Sequence, residues 1–282
     1  MKKYFMTAVT ALAAASFTSC SNEMDMFDPI SSEKATINLN ITNDNVMLTR
    51  ESSAISANDY AKWFFQVSPK TVTIDEKTTN AGATLATGFK DASTIGDYKF
   101  IAGGYSVEVR NYATESEAYK ANDYKGDAFY TGSVDKALTK GNNVVEVDCD
   151  QAKNCRVKVN LTGLADLPAI TEPSITLTQS ERGYDCPALG NGETGYFMVG
   201  KTISYVLTYK YKAPGAQNAT DKSTAPVDIP NPSAHTEYSI IAATNSNGTI
   251  TLTIKRDDTF GKGDDYTITI DAATGEKEKA TN

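Results

Sequence analysis

Cys155-Arg156-Val157-Lys158-Val159-Asn160-Leu161 sets Val157, Val159 and Leu161 against Arg156, Lys158 and Asn160. A side-chain period of two puts these sets on opposite faces of an extended chain, one buried and one wet. The alternation recurs on both sides. Upstream, Ile37, Leu39 and Ile41 alternate with Thr36, Asn38 and Asn40, and Tyr105, Val107 and Val109 with Ser106, Glu108 and Arg110. Trp63–Val67, Ala128–Thr131 and Asn143–Val147 are further short runs. Downstream, Ser174–Thr178 and Gly195–Val199 precede a longer strand marked by Tyr205, Leu207, Tyr209 and Tyr211. Tyr238, Ile240 and Ala242 lead through Asn247-Gly248 to Ile250, Leu252 and Ile254. An Asn-Gly pair tolerates the positive φ of a hairpin turn, so these two runs read as a hairpin. Tyr266, Ile268 and Ile270 close the series.

Thr, Asn, Ser, Tyr and Gly are abundant and long helical periods are absent, which predicts an all-β chain. At 282 residues it exceeds the usual size of one core. The expected architecture is two antiparallel β-sandwich domains in tandem, residues 33–161 and 162–282. A turn or two of helix is expected over Ser56–Trp63, capped by Asn58 or Asp59. Three loops interrupt the strands: Ala113–Gly126, Glu181–Gly195 and Lys212–His235. The third holds Pro214, Pro226, Pro230 and Pro232, which excludes a central strand and predicts a mostly flexible segment.

The N-terminus has its own grammar. Lys2 and Lys3 precede an apolar, small-residue run from Phe5 to Phe17, then Thr18-Ser19-Cys20. The run is shorter than the roughly 20 residues of a membrane span and reads as a secretory signal. With a cysteine at the cleavage point it resembles a bacterial lipoprotein signal, although Phe17 stands where that pattern usually has Leu. The alternative is an ordinary signal peptide that contains a cysteine. The resemblance implies diacylation of Cys20, residues 1–19 as signal and 20–32 as a lipidated tether on the outer membrane. The acids Glu23, Asp25 and Asp28 loosely resemble the export tag of lipoproteins displayed on Bacteroides-type cells. Two acyl chains suffice for stable anchoring.

Without residues 1–19 the chain keeps 25 basic residues against 35 acidic, a net charge of −10. That balance repels phosphate backbones, so nucleic acid is not an expected partner. Cys149 and Cys155 bracket a short segment between strand-like runs. They either pair across a hairpin or are two buried small hydrophobes. Three cysteines beside one histidine, His235, in unrelated spacing do not make a zinc site. His235 ends the proline-rich loop and reads as exposed rather than catalytic. The acids are scattered through turns, unlike the paired carboxylates of a glycosidase. Asp257–Asp265 reads as an acidic hairpin loop, since its spacing fails the EF-hand pattern and Lys262 intrudes. No enzymatic activity, cofactor or metal is expected.

The first half carries a familiar order. Phe64-Phe65-Gln66-Val67 is followed by Ile101-Ala102-Gly103-Gly104-Tyr105-Ser106-Val107-Glu108-Val109, then Ala118-Tyr119, Tyr124-Lys125-Gly126 and Phe129-Tyr130-Thr131-Gly132. Val144–Cys149 and Asn154-Cys155-Arg156-Val157 follow. This resembles the lipoprotein family called domain of unknown function 4493, and more distantly fimbrillin-like adhesins, across roughly residues 35–271. The resemblance implies Ig-like or fimbrillin-like sandwiches on a surface lipoprotein with a binding or adhesive role. From the residues themselves, Gly103-Gly104 permits a tight turn into a strand anchored by Tyr105.

Fifteen tyrosines offer apolar faces with polar edges, suited to sugars and to protein partners. Tyr112, Tyr119, Tyr124 and Tyr130 cluster in the first half, and Tyr119 and Tyr124 lie in the polar loop. Those two are the expected exposed ligand contacts. The expected function is non-catalytic cell-surface binding or adhesion, toward a glycan or protein partner. The alternatives are an accessory glycan-binding lipoprotein of a polysaccharide uptake system, or a pilus subunit trimmed at Met47-Leu48-Thr49-Arg50 before strand exchange.

Overall fold

The computed structural model describes residues 34–43, 53–54, 63–83, 88–184, 188–245, 249–258, 261–262 and 266–276. The signal and tether residues, Cys20, Met47–Arg50, the helix expected before Trp63 and Cys186 lie outside them. The chain is nearly all β, as its alternation predicts, and divides into two compact units.

The first unit is built from β1 (Lys34–Asn43), β2 (Ser53–Ala54), β3 (Phe64–Pro69), β4 (Val72–Ile74), β5 (Lys77–Thr79), β6 (Lys90–Asp91), β7 (Phe100–Ile101), β8 (Gly103–Arg110), β9 (Thr131–Leu138) and β10 (Gly141–Asp148). One sheet runs β10-β1-β2 with β7 also on β1, another β6-β3-β8-β9, and β4 pairs β5 as a hairpin. The alternation of β1 buries Ala35, Ile37, Leu39 and Ile41. Val145 and Val147 of β10 and Tyr105, Val107 and Val109 of β8 are buried too. The Phe100 ring of β7 meets Tyr105 of β8 edge-on at 5.7 Å, and Phe65 of β3 meets Tyr98 at 5.4 Å.

The second unit holds β11 (Cys155–Gly163), β12 (Ile170–Thr178), β13 (Ala188–Leu189), β14 (Thr194–Phe197), β15 (Ile203–Tyr211), β16 (Thr220–Ser223), β17 (Val227–Ile229), β18 (Thr236–Thr244), β19 (Thr249–Asp258), β20 (Gly261–Lys262) and β21 (Tyr266–Asp271). Its sheets run β14-β11-β18-β19-β20, with β21 on β19, and β13-β12-β15-β16, with β17 on β15. Their inner faces share one core: Val157, Val159 and Leu161 join Tyr205, Leu207, Ile240, Leu252 and Ile254. The expected hairpin is the β18–β19 pair, closed by Asn245, whose N–H and carboxamide oxygen bond Thr249.

Several expectations need correction. Beside the antiparallel ladders, β1/β10 and β11/β18 pair in parallel, which a tight hairpin cannot join. The strand β11, expected to close the first domain, pairs only within the second unit, and residues 110–131 also count with it. The units are thus not cut from the chain one after the other. Cys149 and Cys155 do not face across a hairpin, because β10 and β11 belong to different sheets. The proline-rich segment folds as the edge strands β16 and β17 on β15, burying Val227 and Ile229 between Pro226 and Pro230. Prolines flanking an edge strand cost no ladder bond.

Gly103 and Gly104 serve close approach rather than a turn. A Cβ on Gly104 would lie 2.2 Å from the Lys70 carbonyl oxygen, and one on Gly103 would lie 2.7 Å from the Gly82 Cα. The backbones touch there because no side chain intervenes.

Candidate functional site

The β8–β9 connection, which counts with the second unit, carries the exposed aromatic residue singled out by sequence. Its ascending arm begins with Thr114, whose hydroxyl caps a single helical turn, α1 (Glu115–Ala118), by accepting the Glu117 N–H at 3.3 Å. Thr114-x-x-Glu117 is the sequence signature of a capping box. After Tyr119 the chain reverses through Asn122, Asp123 and Tyr124, with φ of 51°, 54° and 67°. Three successive left-handed residues with side chains are costly, at roughly 1–2 kcal/mol each. Such a conformation survives only where the surroundings over-determine it.

Arg182 does much of that holding. It is 3% exposed, and its guanidinium donates to the carbonyl oxygens of Tyr119, at 3.0 Å, and of Tyr124. It also lies 5.7 Å over the Tyr119 ring and 5.1 Å over Phe197. Backbone bonds from Gly126 to Ala121 and from Asp127 to Ala118, both 2.9 Å, close the reversal. Gly126 has φ of 80°, and a Cβ there would stand 3.0 Å from that of Tyr196. Lys125 pairs with Glu193, whose carboxyl is held below the usual carboxylate range by that ammonium and by the Gly190 N–H.

The descending arm rests on buried amides. Asn154, 0% exposed, accepts the Phe129 N–H at 3.1 Å and donates to the Asp127 carbonyl at 2.8 Å. Asn111 bridges Ala128 and Tyr130 in the same way. The Tyr112 hydroxyl donates to Asp127 at 2.7 Å. Beside them Arg156 of β11 pairs with Glu237 of β18 and bonds Tyr196 of β14.

The two tyrosines expected to face outward therefore part company. Tyr124 is exposed, at 51%. Tyr119 is buried, a correction: its hydroxyl donates to Glu115 at 2.7 Å, and Arg182 covers its ring. Burial, then the Glu115 carboxylate, push its hydroxyl pKa far above the ordinary value. Tyr130 is buried as well. A fourth aromatic enters from the glycine-rich loop, where the Lys120 ammonium sits 4.7 Å from the centre of the Tyr184 ring. Tyr184 borders an open groove of about 530 Å³ lined also by the hydroxyl-bearing residues Thr178, Ser180, Thr202 and Ser204.

His235 is buried, not exposed, and this too corrects the sequence reading. Its Nδ1 accepts the Ala152 N–H at 3.1 Å, and its own backbone N–H donates to the Asn154 carbonyl. That nitrogen is engaged with backbone rather than aimed at a hydroxyl or thiol. Cys149 and Cys155 are buried thiols, and the Cys155 sulfur donates to the Phe197 carbonyl at 3.4 Å. Among the described residues no three His, Cys, Asp or Glu side chains gather into a metal site. The side chains of Asp257–Asp265 all lie outside the described ones.

Arg182 and the buried role of His235 were missed by sequence reasoning. Asn154 stands in the sequence only within the Asn154-Cys155-Arg156-Val157 stretch that carries the family resemblance. No local signal marks Arg182, whose partners lie 58 and 63 residues away along the chain.

No family model matches the chain, so the likeness to domain of unknown function 4493 stays a resemblance, and no curated protein matches it. Among solved structures, a candidate cell adhesion protein from Bacteroides ovatus is 12% identical, with 80% of this chain and 96% of that chain covered and a TM-score of 0.42. A candidate adhesin from Bacteroides thetaiotaomicron is 12% identical over 80% and 96%, with a TM-score of 0.38. A candidate polysaccharide-binding protein from the same species is 8% identical over 80% and 98%, at 0.32. Likenesses at this level carry no argument about what this chain binds. Among the described residues no helix is long and apolar enough to cross a membrane.

Proposed function

We propose that this chain is a lipoprotein held in the outer membrane by acyl groups on Cys20, facing the cell surface and binding a partner without catalysis. The anchor reading rests on Lys2-Lys3, the apolar run to Phe17 and Thr18-Ser19-Cys20. The binding reading rests on one observation: Tyr124 is displayed at the tip of a left-handed turn pinned from below by Arg182. A rigid amphipathic ring loses little entropy on contact, which suits an anchor residue for sugars or proteins. Tyr119 serves it as a positioning residue.

Adherence of cells carrying the Tyr124→Ala variant tests this reading. The expected result is loss of adherence with an unchanged melting temperature and unchanged surface display. Wild-type adherence would remove Tyr124 from the role. Palmitate labelling of a Cys20→Ser variant tests the anchor, with label expected only on the wild type.

A second reading is glycan capture for an uptake system. It is favoured by the Tyr184 ring beside the hydroxyl-lined groove, since stacking and hydroxyl pairing are how sugars are held. A glycan array with no hits would count against it.

A further inference from the structure

The first unit carries a separate open groove of about 990 Å³, between the segment following β5 on one side and the end of β9 on the other. Sixteen described residues line it, among them Lys77, Lys136 and Lys140 and no carboxylate. The chain as a whole has 35 acids in 282 residues, which would place about two among sixteen. The nearest acids in sequence, Asp75, Glu76 and Asp135, are not part of the lining, the first two forming the tip of the β4–β5 hairpin. Lys70, which is outside the groove, pairs with Asp135, whereas among the described residues none of the three groove lysines forms an ion pair. Three lysines line this one concavity of an acidic protein with no carboxylate among its described lining, and although Lys136 also borders Glu146 in a neighbouring hollow, the net local field is positive.

The groove wall is built in advance of any ligand. Gly104 accepts the Gly82 N–H at 3.0 Å and donates to Asn80 at 2.7 Å, while the Tyr105 hydroxyl donates to Ala83 at 3.2 Å. These bonds fix the segment 80–83 against β8, so binding need not order it. The remaining lining mixes apolar side chains, among them Ile74, Ile101 and Leu138, with the polar Thr78, Thr79, Asn80 and Thr139. Among the described residues no aromatic side chain lines it, so they offer no stacking platform for a neutral sugar. The open shape also leaves a long acyl chain largely in water. Hydroxyls, an amide and flexible ammoniums together suit a polyhydroxylated anion, with lysine acting as a point charge.

We propose that this groove binds an anionic oligosaccharide, one bearing carboxylate or sulfate groups, with Lys77, Lys136 and Lys140 as the anion contacts. The proposal is independent of the Tyr124 site.

Calorimetric titration of the purified full-length protein in detergent tests it, using a galacturonate hexamer, a heparin hexasaccharide, neutral maltohexaose and sodium sulfate. The expected result is binding of at least one anionic hexamer, and which of them binds tells carboxylate from sulfate. Raising the salt from about 50 to about 300 mM should weaken that binding several-fold, because exposed charges are screened. The Lys77→Ala/Lys136→Ala/Lys140→Ala variant should lose roughly tenfold or more in affinity at an unchanged melting temperature. Tyr124→Ala and the control Lys158→Ala should retain wild-type affinity. Binding of maltohexaose or of sulfate alone as tightly as an anionic hexamer would overturn the proposal. So would no binding by either anionic hexamer, an unchanged affinity in the triple variant, or an equal loss in Tyr124→Ala or Lys158→Ala.

Discussion

Arg182 holds Tyr124 by its backbone and leaves its ring in solvent: the guanidinium donates to the Tyr124 carbonyl, while the side chain stays 51% exposed. One buried cation thereby satisfies two carbonyls at and beyond the C-terminal end of α1. Arg182→Ala removes both bonds and the packing on Tyr119 and Phe197, and should cost about 2–4 kcal/mol. Arg182→Lys should recover only part of it, since an ammonium cannot reach both carbonyls while lying flat on two rings. Urea unfolding of the three proteins checks the order, and a fully rescuing lysine would contradict it.

The left-handed turn predicts an opposition between stability and binding. Tyr124 has φ of 67°, a conformation that glycine adopts freely. Tyr124→Gly relieves strain of roughly 1–2 kcal/mol and gives back part of it through the looser unfolded chain, so a net gain of about 0.5–1 kcal/mol is expected. The same variant should lose adherence. A rise in melting temperature together with lost adherence would separate a residue kept for contact from one kept for folding.

The alternation of Val157, Val159 and Leu161 was legible because burial in a strand is a period-two property of neighbours along the chain. The β18–β19 hairpin was legible for a local reason as well, although the Asn247-Gly248 turn that signalled it lies outside the described residues. Which sheet β11 joins was not, because strand partners are chosen across long separations: Arg156 pairs with Glu237 on a strand 81 positions on. Tyr119 and Tyr124 look alike in sequence, five residues apart in one polar loop. Only the arrival of Arg182 from the glycine-rich loop decides which is covered. His235 read as exposed because prolines and small polar residues precede it, yet Val227 and Ile229 draw that segment onto β15.

The same burial bears on the two cysteines of the second unit. Desolvation pushes the Cys155 thiol up to about 12, against the smaller lowering effect of its backbone hydrogen bonds. Thiolate is the reactive species, so the native protein should resist iodoacetamide at pH 8 at this position. After denaturation without reductant, both Cys149 and Cys155 should take up the label, as buried thiols do. Mass spectrometry of the corresponding peptides reads the outcome. An unlabelled, disulfide-linked pair would instead restore the bridging that their sequence proximity allowed.

His235 makes a pH dependence that can be assigned without ambiguity, since it is the only histidine. Burial lowers its pKa from the ordinary 6.5, and the nearby Asp150 carboxylate opposes that shift more weakly. The unfolded chain therefore takes up the proton at a higher pH than the folded one. Stability from the neutral imidazole is fully present above about pH 6.5 and declines as the pH falls below that value toward the folded pKa. Protonation would also convert Nδ1, which accepts the Ala152 N–H, into a donor facing another donor. Urea midpoints measured from pH 8 to pH 5 should fall through this window. His235→Asn keeps a side-chain acceptor and tolerates the φ of 54° found at this position. It should flatten the decline between pH 7 and 5.5. An unchanged slope in the variant would move the proton-sensitive step away from the junction where His235, Asn154 and Ala152 meet.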